Sequence, residues 1–222
     1  RFSALLDANV LYGSYMRDLL LGLAQDDFFV PQWSPEIQDE AQRALTRTFP
    51  GSEAQPKRKM ALMNEAFPNA LVHDFQHLVD DLSDTDVDDR HVIAAAVQAQ
   101  SGALVTFNIK HFPRQMFETY GIELVHPDDF LLDLADLNRA RFLQVISQLL
   151  AEYSRPALSV MSYASVMQRA QCPNIAAFIA QCAHESGGFT ALKENLNYKA
   201  PTLRKIFPKY FPDDVMAATY AN

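Results

Sequence analysis

The stretch SALLDANVLY, residues 3–12, decides the fold class. A short apolar run stops at an acid, Asp7, which reads as a buried strand whose tip carries a carboxylate. Working outward, ALVHDF (70–75), ALVTFN (103–108) and IELVHP (122–127) read as further strands, and FFVPQWS (28–34) as a short extended piece. Helical spacing fills the intervals. MRDLLLGLAQ (16–25) is one such run, and SPEIQDEAQRALTR (34–47) is another, with Ser34 as N-cap, Pro35 in the first turn and acids behind it. GSEAQPKRK (51–59) reads as a solvated loop before the helix MALMNEAF, and DRHVIAAAVQAQSG (89–102) as a helix closed by Gly102. After IKHFPRQMFETYG (109–121), a turn and helix, residues 128–153 are helical in pattern. Strands alternating with helices imply an α/β fold with a mainly parallel sheet covered on both faces. In such a sheet the ligand site lies outside the carboxyl ends of the strands, where Asp7 and Asn108 fall.

Composition agrees with a well-buried chain: 49% of its 222 residues are hydrophobic and only 7 are glycine. The two cysteines, Cys172 and Cys182, lie in one apolar segment. Helical residues ten apart sit ~15 Å from each other, so two buried thiols are expected and no bridge. Without a disulfide framework or a basic-then-apolar leader, the expected compartment is the cytoplasm. No apolar run approaches ~20 residues, and no membrane span is expected. The net charge of −8 is uneven, since residues 166–222 carry +2 and the rest −10. Such a balance disfavours nucleic-acid binding through displaced counterions, unless some of the acids hold a cation.

Three acidic positions are candidates for that work. Asp7 ends the first strand, Glu40 lies in the helix begun by Ser34, and Asp88 with Asp89 opens the helix before ALVTFN. Carboxylates converging from separate elements suit Mg²⁺ or Mn²⁺, which take oxygen ligands and keep several waters. Two of these positions also have a structural reading. Asp88 and Asp89 are good N-caps, and Glu40 complements a helix dipole. Asp7 has no evident structural benefit at a strand tip. The series Asp84, Asp86, Asp88 starts like a calcium loop but lacks the glycine and the closing glutamate, Asp89 and Ala95 standing in their places. Arg43 and Arg47 follow Glu40 at helical spacing and could steer phosphates, as could Lys110 and Arg114. The alternative for each is a solvated surface cation.

LLDANVLY, WSPEIQDEAQRAL, DTDVDDRHVIAAA and ALVTFNIKHFP together resemble the PIN-domain nucleases, in that order and spacing, over roughly residues 2–150. Many of those are ribonucleases, including toxins of bacterial toxin–antitoxin pairs. The resemblance implies a three-layer α/β/α domain and an acidic pocket for Mg²⁺ or Mn²⁺ acting on RNA. It also implies a possible antitoxin partner and a possible homodimer. Carried over by position, Asp7, Glu40 and Asp89 are the catalytic and metal carboxylates, with Asp88 beside them. Asn9, Thr106, Asn108 and Arg43 would face the substrate. Where most PIN nucleases place another aspartate, this chain has Asn108, which can offer a carbonyl oxygen but no charge. A non-catalytic PIN module is the corresponding alternative.

From about Ser165 the character changes. MQRA, NIAAFIAQCAHESGGF, ENLNY, LRKIFPKYF and AATYAN resemble the front of the family 19 glycoside hydrolases, the chitinases and lysozyme-like lysins. The resemblance makes Glu185 the general acid, with His184 in support. Glu194 would be a second carboxylate without an assigned base role. Inverting glycosidases need two carboxyls and a groove several sugars long, and only ~55 residues of that pattern are present. The expected organisation is a PIN-like domain over 1–155, a junction over 156–173 and a small all-α, partial hydrolase-like segment over 174–222.

Overall fold

The computed structural model describes residues 2–51, 54–80, 82, 85–153 and 157–189. Strands β1 (Ser3–Leu6), β2 (Val30–Gln32), β3 (Ala103–Val105) and β4 (Glu123–Val125) form one sheet in the order β2-β1-β3-β4. Every pairing is parallel, with Leu5 opposite both Gln32 and Leu104, and Leu104 opposite Leu124. A parallel pair needs a crossover connection, and helices supply each one. They are α1 (Ala8–Tyr12) and α2 (Ser14–Gln25) after β1, then α3 (Pro35–Thr48), α4 (Ala54–Ala66), α5 (Gln76–Val79) and α6 (Arg90–Gln98) after β2. A 3-10 turn (Ile109–His111) and α7 (Arg114–Tyr120) join β3 to β4. The result is an α/β/α arrangement whose central strands are apolar throughout: Ala4, Leu5, Leu6, Leu104 and Val105 are buried.

Two strand readings change places. FFVPQWS supplies β2, whereas ALVHDF pairs only at one bridge, Leu71 with Trp33. The Trp33 N–H donates to the Ala70 carbonyl at 3.0 Å, and the Trp33 carbonyl accepts from the Val72 amide at 2.8 Å. Beyond that point Asp74 adopts a left-handed conformation (φ 61°) and turns the chain off the sheet edge. The basic run 57–59 lies within α4 and not in a loop. Gly102 does not close α6, which ends at Gln98 with Gln100 in the left-handed region. Its role is close approach: its amide donates to the Ser3 carbonyl at 2.9 Å, and a Cβ there would sit 3.1 Å from that oxygen.

After the sheet come α8 (Pro127–Leu137), α9 (Arg139–Glu152), α10 (Val160–Arg169) and α11 (Pro173–Glu185). Most of the expected junction, 156–173, is therefore helix. Tyr163, Met167, Ile175 and Ile179 are fully buried, and the apolar face of NIAAFIAQCA packs against α8 and α10. A tertiary cap ties this end down. The buried Asp128 carboxylate accepts from the first amides of α11, Asn174 at 3.0 Å and Ile175 at 2.8 Å. These N–H groups have no partner inside their own helix, and a carboxylate also complements the dipole. Cys172 and Cys182 are buried free thiols, as expected. Burial, with Asp128 and Asp129 nearby, pushes the Cys172 thiol up to about 12.

Asp128→Ala should destabilise the fold by about 2 kcal/mol in urea unfolding, because the buried Ile175 amide and the partly buried Asn174 amide both lose their acceptor. Asp128→Asn should recover part of that. In native protein at pH 8 neither thiol should react with a disulfide reagent within minutes, and both should react once the chain is unfolded.

Candidate functional site

Asp7 sits where β1 stops and α1 starts, and this position explains its local geometry. As N-cap of α1 it accepts from the Ala8 amide through Oδ1 at 2.6 Å. Through Oδ2 it accepts from Asn9 Nδ2 and from the Thr106 hydroxyl, each at 2.6 Å. Asn9 Nδ2 also donates to Thr106 Oγ1 at 3.0 Å, and Asn9 Oδ1 accepts from the Phe107 amide at 3.2 Å. The Thr106 oxygen accepts from the Asn108 amide at 3.0 Å. LDAN and VTFN are thus bonded into one knot at the adjacent tips of β1 and β3. Asp7 does have a structural benefit, which the sequence reading missed. Thr106 is fully buried and closed to a substrate, so its part in the site is to hold Asp7.

Above the knot lies an open cavity of about 1140 Å³. Its walls bring together Asp7, Glu40, Asp88, Asp89 and Asn108, from β1, α3, the start of α6 and the end of β3. Asn9 and Arg43 also line it. Every sequence-nominated residue of the nuclease pattern except Thr106 therefore meets in one place, at the carboxyl ends of the strands. Lys110 and Arg114 do not line this cavity, and neither does the basic run on α4. Asp89 occupies the N-cap position of α6 without a side-chain capping bond, which removes the bland explanation for its carboxylate.

The acids repel one another. Burial raises the Asp7 carboxyl above the usual range, hydrogen bonds from Thr106 and Ala8 oppose it, and the charges of Glu40 and Asp89 raise it further. Burial also raises Asp89, with Asp86 and Glu40 adding to it and His111 and His91 pulling the other way. Two histidines that the sequence reading overlooked partly relieve this field. His91, one residue into α6, places Nε2 2.9 Å from Glu40 Oε1, and His111 Nδ1 lies 3.7 Å from Asp89 Oδ2. Burial works to lower the His91 pKa, but its bond to Glu40 and the charges of Glu40, Asp7 and Glu36 outweigh that and raise it. The signal in the sequence was DDRH, a histidine one turn from the cavity acids. Among the described residues no three His, Cys, Asp or Glu side chains stand together as a ready ligand set.

Glu185 is elsewhere. It ends α11, half-exposed, with its carboxylate 3.1 Å from Arg139 Nη2 and accepting from Gln181 at 2.6 Å. The Gln181 bond, then Arg139 and His184, hold this carboxyl below its ordinary value. A glycosidase acid must stay protonated near neutral pH and needs the opposite shift. Glu194 and the motifs ENLNY, LRKIFPKYF and AATYAN lie outside the described residues.

Residues 3–110 match the PIN domain family model, and residues 127–181 match the model of the VapC50 C-terminal domain. Residues 3–110 are thus similar to a PIN domain, and 127–181 to the helical VapC50 C-terminal domain. It is 37% identical over 113 residues to the "Putative ribonuclease VapC50" of Mycobacterium tuberculosis (strain ATCC 25618 / H37Rv), a match covering 50% of this chain and 66% of that protein. A second match, 51% identical over 57 residues, is to a "Glycosyl hydrolase family 19 domain-containing protein" of Haemophilus influenzae (strain ATCC 51907 / DSM 11121 / KW20 / Rd). It covers 24% of this chain and 28% of that one, so the chain spans under two thirds of each relative. No solved structure gives a significant match.

The raised His91 pKa has a sign that can be checked. Its stabilising contribution is fully present below pH 6.5 and is lost as pH rises through the higher folded value. The gap in urea-unfolding free energy between the unaltered chain and His91→Gln should therefore be larger at pH 6 than at pH 8.5.

Proposed function

We propose that this chain is a divalent-metal-dependent endoribonuclease of the toxin type, acting at the cavity above Asp7. The observation that supports it is the gathering of four carboxylates from three separate elements at the carboxyl edge of a parallel sheet, with Asp7 and Asp89 raised by burial and, to a lesser degree, by the Glu40 charge. A site built for stability alone would not concentrate like charge in this way. An oxygen-donor set of this kind fits Mg²⁺ or Mn²⁺. Asp7, Glu40 and Asp89 would hold the ion with Asp88 beside them, once Glu40 turns from His91 and Asp89 from His111. When bound, the ion supplies an activated water and neutralises charge on a phosphodiester.

The chain's own residues do the rest. The knot of Asn9 and Thr106 fixes the Asp7 carboxylate, so no reorganisation is needed there on binding. Asn108 contributes a neutral oxygen at the same edge, leaving the site one charge poorer than an aspartate would. Arg43 faces the cavity and suits a phosphate. RNA as substrate places the activity in the cytoplasm, and no helix among the described residues is long and apolar enough to cross a membrane. The resemblance to PIN-domain toxins extends the proposal to a protein antitoxin and a homodimer. The PIN-like region is the working unit, and Glu185, whose carboxyl is held below its ordinary value by Gln181 and Arg139, does not serve as a glycosidase acid.

Incubation of RNA with the full chain and Mn²⁺ should give endonucleolytic products, and chelation should stop cleavage. Asp7→Asn should lower the rate by at least about a hundredfold. Equal cleavage by the variant sinks the reading. If neither protein cleaves RNA, calorimetric titration with Mn²⁺ distinguishes a binding-only module, which would show no heat that Asp89→Ala removes. Zymograms on peptidoglycan and chitin should show no clearing, with or without Glu185→Gln.

A further inference from the structure

The knot at the tips of β1 and β3 does more than fix Asp7, because each polar hydrogen in it has an assignable destination. The Asn9 side-chain oxygen accepts from the Phe107 amide at 3.2 Å, and this backbone donor sets which way the Asn9 amide group faces. Asn9 Nδ2 then directs its two hydrogens to Asp7 Oδ2 at 2.6 Å and to Thr106 Oγ1 at 3.0 Å. Thr106 Oγ1 accepts that bond and another from the Asn108 amide at 3.0 Å, so its own hydrogen goes to Asp7 Oδ2 at 2.6 Å. The Ala8 amide reaches Oδ1 at 2.6 Å. An ionised carboxylate offers roughly four lone-pair sites, two on each oxygen. Asp7 has filled both on Oδ2 and one on Oδ1, which leaves a single site on Oδ1.

That remainder limits what the cavity can hold. Ions paired about 3.5–4 Å apart repel each other strongly and are held together by a carboxylate that ligates both. Asp7 is the acid placed for sharing, since it ends a central strand and the charges of Glu40 and Asp89 both bear on it. Sharing through both oxygens needs a free site on Oδ2, and sharing through one oxygen needs two free sites on Oδ1. Neither exists. The tip of β3 offers no substitute, because Asn108 lines the cavity with a carbonyl oxygen and no charge. We propose that the cavity holds one divalent cation and not two, with Asp7 as a terminal ligand through Oδ1. The proposal rests on the metal-dependent ribonuclease reading and specifies its ion count, at the point where Asn108 departs from the aspartate that the resemblance implies.

The probe is Mn²⁺ alone, added to the full chain without RNA and followed by calorimetry and by electron paramagnetic resonance. One ion per chain should bind in a manner that Asp89→Ala removes. The saturated protein should show the spectrum of isolated Mn²⁺, without the exchange coupling of a pair about 3.5–4 Å apart. Ions held weakly by other surface acids of a chain of net charge −8 are also uncoupled and survive Asp89→Ala, so they do not enter the count. Asn108→Asp should bind its ion about tenfold more tightly, since affinity follows ligand charge, and should still bind only one. Far below saturation, the rate of RNA cleavage should rise with the first power of Mn²⁺ concentration. A coupled pair or a second Asp89-dependent ion, in either protein, overturns the proposal, and so does a second-power dependence or the absence of any Asp89-dependent binding. Cleavage that Asp7→Asn abolishes would still stand after a two-ion result. One bound ion with no cleavage of RNA would instead sink the ribonuclease reading and leave the ion count intact, so the two fail separately.

Discussion

The site depends on one buried carboxylate and the donors that make its burial tolerable. An ionised acid out of water is strongly penalised unless it is hydrogen-bonded, and Asp7 accepts three such bonds. Two of its donors are local, from Ala8 and Asn9, and the third crosses the sheet from Thr106. The crossing matters because β1 and β3 are neighbours in parallel register, with Leu6 opposite Val105, and the Asp7 amide continues the ladder to the Val105 carbonyl at 3.1 Å. Both strands therefore end at the same level. The residue after each end is aimed into a common knot, and the helix that starts at Ala8 draws its first amide from the same carboxylate.

Above this knot the electrostatics are left partly unresolved by the fold. Glu40 and Asp89 line the same open cavity as Asp7, and their charges raise the cost of ionising it. His91 and His111 offset some of that repulsion without closing the cavity. Such an arrangement is poor as a stabilising device, since an acid whose pKa is raised on folding detracts from stability at neutral pH. It is well suited to receiving positive charge. The same cavity is also lined by Arg43 and Arg47, so a bound polyanion would meet cations as well as carboxylates.

The carboxy-terminal helices present the opposite case. A motif with a strong likeness to a hydrolase acid is here part of a packed helix. Its apolar residues Ile175, Ile179 and Cys182 are core, and its glutamate is an ion-pair partner on the surface. Arg139 stands over the Phe178 ring at 5.4 Å while also reaching Glu185 and Cys182 Sγ, so that one side chain fastens α9 to α11. Chemistry does not follow from a motif when the surroundings that would tune its pKa are absent.

Local sequence was enough for the parallel α/β class, the start of α3 at Ser34 and the nomination of Asp7, Glu40, Asp88 and Asp89, because apolar periodicity and capping chemistry act over a few residues. It also showed that Cys172 and Cys182 stay unpaired. It misjudged ALVHDF as a strand, since strand formation needs a partner along its length and only Trp33 provides one. It placed Gly102 at a helix end, because a clash with the Ser3 carbonyl, 99 positions away, is invisible in the text. The tertiary structure alone decided that Thr106 serves Asp7, that His91 and His111 meet two of the acids, and that Tyr12 reaches Thr48 at the end of α3. Each of these is a contact between elements distant in the chain, fixed by sheet register and helix packing, which no local pattern encodes.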